Sequence, residues 1–266
     1  MKGFLLSFRS EFYKTRKTLG FWCAIILPLL ISLFIAIGFY FKSTQLAGMA
    51  GQAIWIQFAG ISLGIMGSLL LPMFVIFVAY SVNSVEHKAD TWKTLFSLPI
   101  SRWAIYSAKY FYAVFLVFLC LALFALFTIS FGNLLSVLKP ELKFNTFHME
   151  MELGQIYFKL FLSTLGILSI QFLLSLLWSD FLKPMGIGFV CTIAGVIAVS
   201  KKWEYSYAFP YAHPMVALSS MIKRAKGTSG NDLVIDMFTK DVYIALGVAA
   251  VVFVIGYFIV VKRSVK

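Results

Sequence analysis

Charged residues are scarce in this sequence, and acidic residues are the scarcest of them. Only 13% of the 266 residues are charged, 11 of them acidic, whereas 61% are hydrophobic and the mean hydropathy is +0.89. A soluble domain of this size does not need so much apolar surface. The composition therefore predicts an all-α, polytopic membrane protein.

Cysteine is also scarce, and its spacing gives no indication of a redox or metal motif. Cys23, Cys120 and Cys191 each lie in a different apolar run, with no CxxC pair and no metal-ligand spacing. Isolated cysteines of this kind usually act as small apolar side chains. We therefore predict no metal site.

The apolar runs lack the groups that catalysis or ion coupling requires. None contains Asp or Glu, and Lys159 lies near the end of its run. Ion-coupled transporters usually need an intramembrane ionisable group, and enzymes need a positioned nucleophile, base or metal. The sequence also has no GxxxxGK[ST] nucleotide-binding loop. We expect no catalytic or cofactor-binding residue here; an intramembrane enzyme, with His213 as its best candidate, is the weakest interpretation.

Six apolar runs are long enough to cross a bilayer, which takes about 20 residues. They cover residues 21–41, 55–82, 110–131, 156–178, 181–199 and 242–261. Pro72 in the second run predicts a tilted or kinked span. The fifth run is long enough only if Lys183 extends its amine to the interface.

The excess of positive charge, +12, is concentrated near the ends of the spans. Lys and Arg cluster before the first span, between the second and third, and after the sixth, which predicts that both termini are cytoplasmic. Residues 200–241 carry six Lys and Arg on the opposite side, an exception that we attribute to the length of that loop. No basic stripe with interleaved aromatics lies on a soluble module, so nucleic acid is not an expected partner.

Two segments at opposite surfaces have patterns of their own. Residues 2–18 carry a Phe and Leu stripe among basic residues, which predicts a helix in the plane of the interface; an unstructured basic leader is the alternative. Residues 203–221 are aromatic and are interrupted by Pro210 and Pro214. They predict an external hairpin that re-enters the outer leaflet, with an interfacial aromatic belt as the alternative.

The connector between the second and third spans is rich in charged residues for so apolar a sequence. Apolar residues recur at helical spacing within residues 85–98, which predicts a short amphipathic helix on the cytoplasmic surface. Pro99 would end it, and Ser101 would cap the next helix. The pattern alone fits equally well a connecting segment that binds no partner protein.

Hydroxyl and amide groups within the spans are the candidates for a transport path. The residues are Gln57, Ser62, Ser68 and Gln171. Such groups more often bond a neighbouring helix than a substrate, so this assignment is a hypothesis about position alone.

Two cytoplasmic motifs resemble the permeases of the ABC type-2 exporter family. The first is RSEFYKTRKTLGFW, residues 9–22, and the second is EHKADTWKTLFSLPISRWAIYSAKY, residues 86–110. The matching positions are Glu11, Lys14, Glu86, Thr91, Leu95, Leu98, Pro99, Ile100, Ser101, Arg102 and Lys109. The family often has Gly where this chain has Asp90. The order of six spans and the broken hairpin before the last span extend the resemblance to the whole chain.

The resemblance implies a permease subunit of an ATP-binding-cassette exporter in a bacterial inner membrane. Two such permeases pair, as a homodimer or a heterodimer, among membrane lipids, and each binds a cytosolic ATP-binding subunit that holds ATP and Mg. This chain itself would then be neither an enzyme nor a cofactor-binding protein. The shorter bacitracin- and lantibiotic-immunity permeases are the most similar members, which implies an amphipathic peptide or lipid-like cargo. A non-transporting membrane scaffold subunit of a larger assembly is the alternative.

The resemblance also implies roles for individual residues. Residues 2–18 would form an elbow helix, with Glu11 and Lys14 as its motif residues, and residues 85–98 would form the coupling helix. The implied ATPase-coupling residues are Glu86, His87, Asp90, Thr91, Trp92, Lys93, Leu95, Pro99 and Arg102. Their charged members would contact the ATP-binding subunit.

Overall fold

The computed structural model describes residues 2–89, 91–97, 99–227 and 235–262. Every regular element in these ranges is helical, and six of the helices are long and apolar enough to cross a membrane. The predicted all-α, six-span class is confirmed.

Eleven α-helices occur in this part of the chain. They are α1 (Lys2–Thr15), α2 (Leu19–Phe41), α3 (Ser43–Leu46), α4 (Gly51–Ile65), α5 (Leu71–Ala89), α6 (Trp92–Ser97), α7 (Arg102–Leu138), α8 (Glu150–Leu177), α9 (Leu182–Ser200), α10 (His213–Gly227) and α11 (Lys240–Lys262). The candidate spans are α2, the continuous α4–α5 unit, α7, α8, α9 and α11.

The second span contains a π-helical turn, Met66–Leu70, that joins α4 to α5 directly before Pro72. Proline has no backbone N–H, and its ring crowds the carbonyl four residues earlier, which here belongs to Ser68. A wider turn at this place lets the helix continue despite the missing hydrogen bond.

The third span is much longer than its apolar run. Helix α7 has 37 residues, or about 55 Å at 1.5 Å per residue, against a hydrocarbon core of about 30 Å. It begins at the predicted cap, where the Ser101 hydroxyl accepts a hydrogen bond from the Ala104 N–H at 3.2 Å. Its first two turns therefore precede the predicted apolar run, and they bring Lys109 to the ends of α1 and α5.

Residues 85–98, predicted as one short helix, are divided between two helices. Residues 85–89 continue α5, which ends where the Thr91 N–H bonds to the Glu86 carbonyl at 3.2 Å. Helix α6 then begins, with the Leu95 N–H bonded to the Thr91 carbonyl at 2.8 Å. We call the end of the bundle formed by α1, α6, the end of α5 and the start of α7 the α6 end.

The segment after α9 turns back into the helical bundle. Two 3₁₀ turns, Glu204–Ala208 and Pro210–Ala212, precede α10, and Tyr211 and His213 are buried. The Gln171 amide of α8 donates to the Tyr211 hydroxyl at 2.6 Å. The turn at Tyr211 therefore packs between α8 and α9 rather than over the surface.

The core is formed mainly by α4, α5, α7 and α8, with α2, α9 and α11 around them. Helix α8 packs against α5, α7 and α11, and α2 packs against α7. The outer helices expose large apolar side chains such as Phe34, Phe41 and Val190. Such surfaces suit contact with lipid rather than water.

We predict that Gly195→Ala destabilises the protein, because a Cβ at this position would lie 2.8 Å from the Tyr211 carbonyl oxygen. Relieving this contact requires a backbone shift, and overpacking of this kind typically lowers the free energy of unfolding by about 1–3 kcal/mol. A lower unfolding midpoint of the detergent-purified protein would measure it. Gly186→Ala on the same helix is the control, since no atom lies within 4 Å of its added Cβ. Equal midpoints for the two variants would contradict the close approach.

Candidate functional site

Four charged side chains from three helices meet at the α6 end. Lys109 Nζ of α7 lies 2.8 Å from Glu11 Oε2 of α1 and also contacts Glu86 Oε2 of α5. Lys14 Nζ of α1 lies 3.2 Å from Glu11 Oε1 and 3.1 Å from Glu86 Oε1. The two lysines and two glutamates alternate in a closed ring with no net charge, which we call the ion cluster.

Burial makes the pairing in the ion cluster obligatory. Glu11 is 3% exposed, and Glu86 and Lys109 are each 1% exposed. Unpaired charges at such positions would lose several kcal/mol of hydration without compensation. Lys109 Nζ also donates to the Val82 carbonyl at 3.2 Å, so the ammonium has three acceptors.

Helix α1 presents Glu11 to the bundle because of its residue spacing. Ser7, Glu11 and Thr15 recur every four residues and are all buried on one face, while the Phe8 ring packs edge-on against Tyr112 of α7. Lys14 lies at the partly exposed edge. Burial alone would lower the pKa of Lys14, but the Glu11 and Glu86 carboxylates outweigh it, so this pKa lies above its ordinary value.

Two further residues predicted for coupling also make contacts within the chain. The His87 ring is bonded to the Ser175 carbonyl of α8 through Nε2 at 3.0 Å. Arg102 Nη1 donates to the Val261 carbonyl of α11 at 2.9 Å. Together with Glu86, these residues tie the two sides of α6 to the bundle.

The rest of the predicted coupling segment lies on the surface where it is described. Thr91 and Pro99 are exposed, and Leu95 is partly buried. Asp90 and Leu98, and the side chains of Trp92, Lys93 and Phe96, lie outside the described residues.

A groove separates α1 from α6 and the start of α7. Its volume is about 490 Å³. Polar residues, among them Arg9, Tyr13 and Lys14, line the α1 side, and Leu95, Ile100 and Ile105 line the other side. The groove borders the ion cluster, so a partner lying in it would lie beside the contacts that join α1, α5 and α7.

The four candidate transport-path residues lie in different surroundings. The Ser62 hydroxyl is buried 3.1 Å from the Tyr157 hydroxyl, and Gln171 is bonded to Tyr211 as described above. Gln57 is exposed, and Ser68 is half-buried with its hydroxyl bonded to the Ile65 carbonyl. Ser62 and Gln171 therefore join helices within this chain, which leaves Gln57 and Ser68 nearer the surface.

No group of three or more His, Cys, Asp or Glu that could hold a metal ion occurs among the described residues. His213 is buried at the start of α10, and its Nε2 lies 2.8 Å from the Tyr207 carbonyl in the first of the two preceding 3₁₀ turns.

Sequence reasoning identified the members of the ion cluster only as separate motif positions. It placed Glu11 and Lys14 in one motif and Glu86 and Lys109 in another, and it assigned Glu86 to contacts with a partner. A usable signal was present, since two acids and two lysines adjoin apolar runs in a sequence with few charges.

We predict that Lys109→Met greatly destabilises the protein, because it leaves two buried carboxylates with only the partly exposed Lys14 between them. Breaking a buried ion pair by removing one partner typically costs about 3–5 kcal/mol. Unfolding midpoints and the yield of monodisperse protein in detergent would show the effect.

Two variants serve as controls for that experiment. Lys183→Met removes an exposed pair, Lys183 with Asp180 at 2.8 Å, where the side chains are 62% and 42% exposed, and little change is expected. Combining Glu11→Gln and Glu86→Gln with Lys109→Met removes the buried charges together and should restore much of the lost stability. Equal effects of Lys109→Met and Lys183→Met would show that the ion cluster contributes no more than a surface pair.

A comparison with protein-family sequence profiles matches residues 7–195 to the family described as "ABC-2 family transporter protein". The match covers well over half of the chain and includes all four residues of the ion cluster. Comparisons with curated proteins and with solved structures found no match. With its six apolar helices, the chain therefore belongs to the ABC-2 transporter family as a multi-pass membrane permease.

Proposed function

We propose that this permease is half of an ATP-driven exporter and that the α6 end binds a cytosolic ATP-binding subunit. The observation that carries the proposal is the ion cluster, which joins α1 and the two spans on either side of α6. A partner at α6 would thus contact an element whose two flanking helices are held together by buried charge.

The geometry supports a mechanical role for this end of the molecule. Helix α6 connects α5 to α7, and α1 lies across the groove from it. ATP-driven movement of the partner against α6 would carry α5, α7 and α1 together, since their charged groups cannot separate cheaply. The proposed partner surface consists of α6, the exposed Thr91 and Pro99, and the groove beside Leu95.

The proposal also covers the second permease, the cargo and the membrane in which the transporter lies. A second permease, identical or related, would pair with this one, and ATP and Mg would be held by the ATP-binding subunits. For the cargo we propose an amphipathic peptide or lipid-like molecule, which rests on the resemblance to the short bacitracin- and lantibiotic-immunity permeases. The proposed location is a bacterial inner membrane with both termini in the cytoplasm.

We predict that mild-detergent purification from the native host recovers an ATP-binding subunit in equal amount, with ATPase activity. Leu95→Asp, which puts a charge in the groove, and Thr94→Arg, on the exposed face of α6, should each reduce that recovery about tenfold or more. Met151→Asp, at an exposed position at the opposite end, should not.

The outcomes of this experiment separate the alternatives. Full recovery with both α6 variants would place the ATPase contact elsewhere on the permease. If the unaltered protein brings down no ATP-binding subunit under conditions that preserve other membrane complexes, the scaffold interpretation is the better one.

We predict that the α6 end faces the cytoplasm, because positive residues flank the spans there. In a variant whose three native cysteines are replaced by serine, Lys88→Cys should resist a membrane-impermeant maleimide in intact cells. Lys201→Cys, which follows α9 at the opposite end, should react. Both positions are exposed, so a difference in labelling reports the side of the membrane. The reverse pattern would invert the proposed orientation.

A further inference from the structure

Two arginines are arranged around one tyrosine on the outward side of α1: Arg9 lies within the helix, and Arg16 directly follows its last residue. Arg9 Nη2 donates to the Tyr13 hydroxyl at 3.4 Å, and the Arg9 Cζ lies 5.6 Å from the centre of the Tyr13 ring. The Arg16 Cζ lies 5.3 Å from the same centre. All three side chains are exposed, and the aromatic ring holds both guanidinium groups on one side of the helix.

These two positive charges differ from that of the neighbouring Lys14 of α1. Lys14 is neutralised by Glu11 and Glu86, whereas no carboxylate within the described ranges forms an ion pair with Arg9 or Arg16. The arginine face therefore has an unbalanced positive charge, carried by two exposed side chains. Its chemistry fits an anion that comes from outside the chain.

Exposed apolar side chains lie beside the arginines. Leu5 is four residues before Arg9 and Phe12 is four residues before Arg16, so each pair shares one side of the helix. Leu5 is 63% exposed, and Leu19 at the start of α2 is 73% exposed. Because α2 is a span that begins three residues after Arg16, the arginines lie at the level where an apolar core meets headgroups.

We propose that Arg9, Tyr13 and Arg16 bind the phosphate of an anionic phospholipid, whose acyl chains lie against Leu5, Phe12 and the start of α2. Planar guanidinium groups bind phosphate oxygens through paired N–H donors, and cations near a membrane surface attract anionic headgroups. The proposal rests on insertion into a membrane and does not depend on the ATP-binding subunit or on transport.

A lipid fits this face better than the other anions that could lie there. A free phosphate would gain nothing from exposed Leu5 and Phe12, which lie outside the groove that Arg9 and Tyr13 border. An acidic surface of a protein partner would leave the same apolar groups in water. A phospholipid covers the cations and the apolar side chains at once.

The test measures lipid affinity of the purified full-length chain in a neutral detergent. Native mass spectra recorded with phosphatidylglycerol or phosphatidylcholine give a dissociation constant for each lipid. A cation at the membrane surface tightens the binding of an anionic lipid about fivefold. Two such cations therefore predict a dissociation constant for phosphatidylglycerol roughly 30-fold lower than that for phosphatidylcholine. The double variant Arg9→Gln/Arg16→Gln should reduce this ratio to about threefold or less.

Two further variants distinguish the site from general charge. Arg9→Lys/Arg16→Lys keeps the charge but loses the planar donors, so an intermediate ratio is expected. Lys201→Gln/Lys202→Gln removes two exposed cations at the opposite end and should leave the ratio near its original value. None of these side chains is buried, so unchanged unfolding midpoints should accompany every result.

Three results would overturn the proposal. One is the absence of any preference for phosphatidylglycerol in the unaltered protein, and another is an unchanged preference in Arg9→Gln/Arg16→Gln. The third is competition by inorganic phosphate at millimolar concentration, which would indicate a site for soluble anions. If the glutamine variant keeps its lipid preference but no longer retains the ATP-binding subunit, the arginines contact that subunit instead.

Discussion

The burial of Lys109 determines how the α6 end of this protein is built. An ammonium group with 1% exposure needs anionic partners, and α7 offers it none within reach. Glu86 comes from α5 and Glu11 from α1, and Lys14 balances the second charge that this arrangement introduces. Helix α1 adds a carboxylate and an ammonium that pair with Lys109 and Glu86, so the position of α1 on the bundle is fixed by these ion pairs as well as by the packing of Phe8.

The opposite end of the bundle is held together in a different way. There the turn at Tyr211 enters the space between α8 and α9, where Gly195 leaves room for its carbonyl, and the Gln171 amide holds the Tyr211 hydroxyl. Contacts of this kind depend on shape and fail with small displacements. Paired charges act over longer distances, so the α6 end can move as a unit without losing its connections. The contrast is consistent with the proposed binding of an ATP-driven partner at the α6 end.

The sequence was sufficient for the helical class and the six spans, because apolar length alone indicates a membrane segment. It could not show that α7 extends beyond its apolar run, since hydropathy ends where the membrane ends and the helix does not. It also could not pair Glu11 with Lys109, which are 98 residues apart, because that contact depends on which helices pack together. The division of residues 85–98 was missed for the same reason: the position of Glu86 is set by Lys109 and Lys14, which keeps residues 85–89 on α5.

The positions of the four charges explain why two separate sequence motifs behave as one structural unit. Glu86 and Lys109 are 23 residues apart, and α6 lies in the chain between them. Their contact closes this segment into a loop whose two ends are joined at the bundle, and Glu11 and Lys14 attach α1 to the same point. Helix α6 therefore cannot shift far relative to the spans unless its anchor points shift with it. If an ATP-binding subunit binds at α6 as proposed, movement of this short helix would be passed to α5 and α7, because the buried charges at its base hold those helices together.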